Sequence, residues 1–133
     1  MWLNVRYSFF ILSLFVLLSC NSEKKYEDYN ENDFYEVQGA VIKVYNTPSV
    51  FDSSSNKLMN YVYCVNDSLI LKGSEKEFYQ AWYFAQPIVV LVNKNNPEIN
   101  FFARVGLLET ITEKQAKMID EVLDYESKTQ LRN

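Results

Sequence analysis

The sequence predicts an α+β domain: a small antiparallel sheet of about five strands, open to barrel-like closure, with a C-terminal helix and a second helix near 75–85. Short runs of β-branched and aromatic residues separated by Asn, Ser and Pro clusters carry the sheet. One C-terminal stretch repeats apolar residues at helical spacing behind a capping box. The chain has 133 residues, 48% hydrophobic and 16% aromatic, which is enough for one packed core and too short for several domains.

Residues 1–19 read as an export signal. Phe9 to Leu18 is an apolar run of ten residues behind Arg6, about 15 Å as a helix against the roughly 30 Å of a bilayer core. It ends in Leu17-Leu18-Ser19-Cys20, which resembles the lipobox of bacterial lipoproteins. That resemblance implies that Cys20 receives a diacylglycerol, that cleavage falls just before it, and that its new amino group takes a further, palmitate-type acyl chain. Each buried CH₂ contributes about 0.8 kcal/mol, so several chains hold a protein where one holds it only reversibly. The expected location is the cell envelope, lipid-anchored in the outer membrane, on its periplasmic or surface face. Asn21 stands where an Asp favours inner-membrane retention in the enterobacterial pattern, and Ser22 to Asp28 is similar to charged surface-export signals.

Residues 20–33 then read as a polar, acidic tether, with Tyr26 and Tyr29 incidental to it. Residues 34–128 form the single domain, and 129–133 a frayed end. A first strand spans Tyr35 to Tyr45, with a bulge expected at Gly39. A turn-rich loop follows from Asn46 to Lys57. Met59 to Val65 and Ser68 to Lys72 pair as a hairpin around Asn66-Asp67. Ser74-Glu75-Lys76-Glu77 has capping-box spacing, and Phe78, Ala81, Trp82 and Ala85 recur helically up to Pro87. The aromatic density of the same segment makes a strand the rival reading. Ile88 to Val92, wholly apolar, is expected as the central strand, and Ile99 to Val105 adds another, ended by Gly106. Thr112 to Gln115 repeats the capping box, and Ala116, Ile119, Val122 and Leu123 make one stripe on the last helix.

Gly39-Ala40-Val41-Ile42, the strand Tyr61 to Asn66, Gly73, the run Pro87 to Val92 and Asn96-Pro97-Glu98-Ile99 are similar to the DUF3592-type small β domains of bacterial envelope proteins, over about residues 35 to 102. The resemblance implies a small β domain and brings no catalytic residues with it.

Composition excludes several functions. A net charge of −4 without a basic run gives nucleic acid no positive face. The absence of His removes the commonest general base and metal ligand. No P-loop, GxSxG, CxxC or calcium-loop pattern occurs, so neither metal nor cofactor is expected. Asp52, Asp67, Glu75, Glu77 and Glu98 could supply a hydrolase-type carboxylate pair, but their turn and cap positions favour structural roles. With Cys20 acylated, Cys64 has no disulfide partner and reads as a small buried apolar residue. The expected role is non-enzymatic binding or assembly, with Tyr79, Trp82, Tyr83 and Phe84 as the candidate surface. The expected partners are the membrane, through the lipid, and an envelope protein or glycan. An immunity or inhibitor lipoprotein is the alternative.

Overall fold

β-branched and aromatic side chains suit a pleated, half-buried surface, and most of the described runs rich in them become strands. A computed structural model, which describes residues 24–46, 56–78 and 82–131, places β1 at Phe34–Asn46, β2 at Asn56–Asn66, β3 at Leu69–Phe78, β4 at Pro87–Asn93 and β5 at Asn100–Val105. Among the described residues, one helix, α1 (Glu113–Gln130), and two 3₁₀ turns, Tyr26–Asp28 and Glu31–Asp33, complete the architecture. The five strands form one antiparallel sheet in the order β3-β2-β1-β4-β5. The expected α+β class is therefore the observed one. β1 is the central strand, and β4 lies beside it with Ile88, Val89, Val90 and Val92 fully buried.

Alternation along β1 breaks at Ile42, not at Gly39. Val41 pairs with Tyr61 and Lys43 with Asn60, so Ile42 is the extra residue of a bulge. The bulge returns Val44 to the face of Val37 and Val41 and leaves Lys43 in solvent. Gly39 instead pairs regularly on both sides, with Tyr63 and Ile88. A Cβ there would lie 2.6 Å from the Val62 carbonyl oxygen, so close strand approach is what requires glycine. A second bulge falls at Val65, and the hairpin turn is Asp67-Ser68, one residue later than expected. Asn66 Oδ1 caps that turn by accepting from Ser68 N at 2.9 Å.

The second helix near 75–85 does not form. Ser74 pairs with Asn60 and Glu77 with Lys57, so the capping-box spacing lies within β3, which runs on to Phe78. β2 offers a long edge of backbone partners, and pairing along all of it satisfies more amides than a short helix would. Trp82 to Gln86 form a turn; residues 79–81 lie outside the described residues.

The two faces of the sheet are covered by different means. One face gathers Val37, Val41, Met59, Tyr61, Tyr63, Trp82, Ile88, Val90 and Val92. Over it the sheet curls, bringing its two edges together through side chains. The Tyr61 hydroxyl donates to Asn100 Oδ1 at 2.7 Å, the Tyr63 hydroxyl to the Pro97 carbonyl at 2.7 Å, and the Phe102 amide to Glu75 Oε2. Backbone pairing nonetheless stops at β3 and β5, so the sheet is not closed into a barrel. Only backbone ladders remove a sheet edge, and here side chains bridge it.

On the other face Ala40, Ile42, Val62 and Cys64 meet Ile119 of α1, with Met118, Val122 and Leu123 beside it. The capping box at Thr112 is present: Gln115 N donates to Thr112 Oγ1 at 3.1 Å, and Thr112 N to Gln115 Oε1 at 3.1 Å. At the far end Gln130 Nε2 donates to the Ile42 carbonyl at 2.7 Å. Gln38, 4% exposed, holds the loop before the helix, donating to the Ile88 and Gly106 carbonyls at 2.9 and 3.3 Å and accepting from Leu108 N at 2.7 Å.

The rest of that face is covered from the N-terminal side. The Tyr26 ring lies edge-on to Phe34 and Phe101 at 5.2 and 5.6 Å, and the Tyr29 ring lies 5.7 and 5.9 Å from the same two. Such pairs contribute about 0.5–1.5 kcal/mol each beyond burial. Lys94 adds two bonds, from its amide to the Asp33 carbonyl at 2.8 Å and from Nζ to the Asn32 carbonyl at 2.6 Å. Tyr26 and Tyr29 are thus not incidental: from Tyr26 onward the expected tether is a strap packed on the domain.

Candidate functional site

The turn that replaces the second helix organises the most exposed aromatic surface of the expected site. Its backbone is pinned to the β1 bulge: Ala85 N donates to the Val41 carbonyl at 2.8 Å, and Val41 N to the Gln86 carbonyl at 3.0 Å. Gln86, 7% exposed, closes the turn on itself, with Gln86 N on the Tyr83 carbonyl and Tyr83 N on Gln86 Oε1, both at 3.2 Å. Ala85 sits at φ +63°, a left-handed conformation that costs a residue with a Cβ about 1–2 kcal/mol and persists only where its surroundings hold it.

Two of the expected residues, Tyr83 at 62% and Phe84 at 37% exposure, project from this turn into solvent. Trp82 does not belong with them. It is 7% exposed, packs edge-on against Phe102 with ring centroids 4.8 Å apart, and joins the core inside the curl. The reason is topological: with β3 extended in place of a helix, the chain re-enters the sheet at Trp82 and buries the large ring there. Its indole Nε1 is buried without a hydrogen-bond partner among the described residues. Tyr79 and Cys20 lie outside the described residues.

The exposed patch continues through a residue that the sequence reading passed over. Gly106 N donates to the Pro87 carbonyl at 3.0 Å, bringing Leu107, 65% exposed, beside the turn. The signal in the sequence was the pair Leu107-Leu108 directly after the strand-ending glycine, of which only Leu108 turns partly inward. Between turn and helix lies a cavity of about 200 Å³ lined by Ala85, Pro87, Leu107, Ile111, Ile119 and Leu123, with Asp120 at its border. A rigid aromatic pair next to an apolar recess suits contact with another surface.

Two of the expected carboxylates sit in structural bonds. Glu75 accepts from Phe102 N, and Asp67 Oδ1 accepts from Thr112 Oγ1 at 3.2 Å. Glu98 follows Pro97 in an exposed turn, while Asp52 and the Glu77 side chain lie outside the described residues. Among the described residues no three His, Cys, Asp or Glu side chains gather to hold a metal. Burial, reinforced by the Glu98 carboxylate and Tyr35, pushes the Tyr63 phenol up to about 12. Burial also drives Tyr61 upward, with Glu75 and Tyr63 adding to it. Neither phenol is a base near neutral pH. Cys64, 2% exposed, forms no disulfide among the described residues; burial and then Asp67 raise its thiol, opposite to what a nucleophile needs.

No protein-family model, no curated protein and no solved structure matches this chain. Among the described residues no helix is long and apolar enough to cross a membrane.

Proposed function

We propose that this chain is a lipid-anchored protein of the bacterial cell envelope, held in the outer membrane through Cys20, whose domain binds an envelope protein or glycan without catalysis. The lipobox-like Leu17-Leu18-Ser19-Cys20 after a ten-residue apolar run supports the anchor. One observation carries the binding role: Tyr83 and Phe84 stand exposed on a turn whose backbone is fixed by four hydrogen bonds and a left-handed alanine. Large rings displayed on a rigid backbone give contact area at low entropic cost. Side chains that served only the core would be buried, as Trp82 is.

The test has two parts. Cys20→Ala should abolish acyl labelling and leave uncleaved precursor; mature-sized protein from that variant would remove the anchor. The purified protein, immobilised and exposed to solubilised envelope, should retain one dominant partner. Tyr83→Ser with Phe84→Ser should lose it, and Tyr125→Ser, at a 68% exposed site on α1, should keep it. Equal retention by both variants would remove the assigned surface.

A further inference from the structure

We infer that the domain stands on a very short leash, with the end of the sheet that carries the strap and the 94–98 turn against the lipid surface and the 82–87 turn pointing away from it. This rests on the reading of Cys20 as the acylated residue.

The observation is the docked strap. Four ring contacts at 5.2 to 5.9 Å hold Tyr26 and Tyr29 on Phe34 and Phe101, and the two nitrogens of Lys94 tie Asp33 and Asn32 to the 94–98 turn. Lys24 Nζ lies over the Tyr29 ring at 5.7 Å, so the chain at Lys24 is still beside the strap. Only residues 21–23 separate Lys24 from Cys20. Four steps of at most about 3.6 Å reach about 14 Å, whatever their conformation. Were the strap released, fourteen steps from Cys20 to Phe34 would reach about 50 Å, and the domain could turn freely.

The leash leaves from one end. Phe34 pairs with Asn93, and Phe101 with Leu91, so the strap sits where β4 ends. From Asn93 back to Pro87 β4 rises about 20 Å at 3.3 Å per residue. Tyr83, Phe84 and Leu107 therefore lie at least a strand's length beyond the tethered end. In that orientation they face the aqueous compartment, and the partner they meet is a soluble or surface-displayed molecule rather than lipid.

The test uses the full chain, processed in a lipoprotein-competent bacterium and reconstituted in phosphatidylcholine vesicles containing a rhodamine-headgroup lipid. A donor fluorophore is placed at Asn95→Cys or at Tyr83→Cys; Cys64, 2% exposed, stays unlabelled. Energy transfer from position 95 should exceed that from position 83 about twofold or more, because the two sites differ by a strand's length in height. Ten Gly and Ser residues inserted between Ser22 and Glu23 should lower both sharply while leaving residues 24–131 unchanged. Tyr26→Ser with Tyr29→Ser should do the same, with Trp82 emission confirming the fold. Equal transfer from the two positions, or indifference to the insertion, overturns the inference while the anchor stands. A protein that fails to float with vesicles and takes maleimide at Cys20 overturns the anchor and the inference together.

Discussion

Gly73→Ala probes the curl of the sheet directly. Gly73 pairs with Tyr61 in the β2–β3 ladder, at what would otherwise be an ordinary position near a sheet edge. An added Cβ would lie 2.3 Å from Asn100 Oδ1 and 2.5 Å from Tyr61 Cε2, where normal contact is nearer 3.4 Å or more. About 1 Å of movement is needed, and the Tyr61 hydroxyl bond to Asn100 is what lies in its way. Overpacking costs about 1–3 kcal/mol, and orphaning a buried hydroxyl about 1–3 kcal/mol. Replacing glycine in a strand returns about 0.5–1 kcal/mol. The net is a loss of about 1–5 kcal/mol, centred near 3, a large part of the 5–15 kcal/mol of a typical domain. Urea unfolding followed by Trp82 emission measures it, since the one other tryptophan, Trp2, lies in the segment proposed as an export signal. In a Tyr61→Phe background the cost should shrink, because the blocked hydrogen bond is already gone. A neutral or stabilising Gly73→Ala would refute the approach of β3 and β5, for an open edge accepts alanine readily.

Three other measurements follow from the same geometry. The phenol of Tyr63 ionises at about 12 when folded against 10.0 in the free residue, so the unfolded state loses its proton first. The stability this contributes is intact below pH 10 and falls above it, by about 1.4 kcal/mol per pH unit for each such group; Tyr61, shifted the same way, adds to the slope, and Tyr61→Phe with Tyr63→Phe should flatten it in urea titrations from pH 9 to 11. Thr112→Ala removes the acceptor of Gln115 N and should cost about 1 kcal/mol, read as a lower unfolding midpoint with unchanged slope. Cys64, buried under α1 with its thiol raised, should react with a maleimide only at the rate of unfolding; rapid labelling of the native domain would show α1 loosely docked.

The elements read correctly from sequence are those whose determinants are local. Thr112 and Gln115 satisfy each other across three residues, so the start of α1 shows in four letters. The run Ile88 to Val92 has no polar residue to turn toward water, which leaves it little choice but an interior strand. The segment 75–85 was misread because Ser74-x-x-Glu77 is a capping box only if a helix follows. What decided against it was the length of the β2 edge, a partner some twenty residues back. The bulge at Ile42 was likewise invisible: a sequence shows that alternation breaks, and only the pairing with Asn60 and Tyr61 shows where. The candidate site divides along the same line. Tyr83 and Phe84 were visible as surplus aromatics, but the burial of Trp82 depends on Phe102, and the docking of Tyr26 and Tyr29 on Phe101. Those partners lie twenty and more than seventy residues away.

The covering of the sheet narrows where recognition can occur. An open five-stranded sheet normally presents one face to a partner, and this one presents neither. The first face is consumed by its own curl, with Tyr61 and Tyr63 of β2 reaching Asn100 and Pro97 and Glu75 bridging the two edge strands to Phe102. The second is shared among α1, the Gln38-held loop and the Tyr26–Tyr29 strap. The outer side of α1 carries Lys117–Glu121 and Lys128–Asp124 pairs at i,i+4 spacing, a solvated arrangement of small energetic weight. Besides the groove that Ile70, Met118, Val122 and Tyr125 line between β3 and α1, the described residues leave an end of the domain, where the chain passes from Trp82 through an alanine held at positive φ back into β4. A left-handed alanine there is a standing cost, and Ala85 carries it while displaying Tyr83 and Phe84 side by side. Glycine would relieve that strain but lose more chain entropy on folding, so the positive φ of Ala85 is held by its surroundings, the backbone bonds to Val41 and Gln86 that also set where the two rings stand.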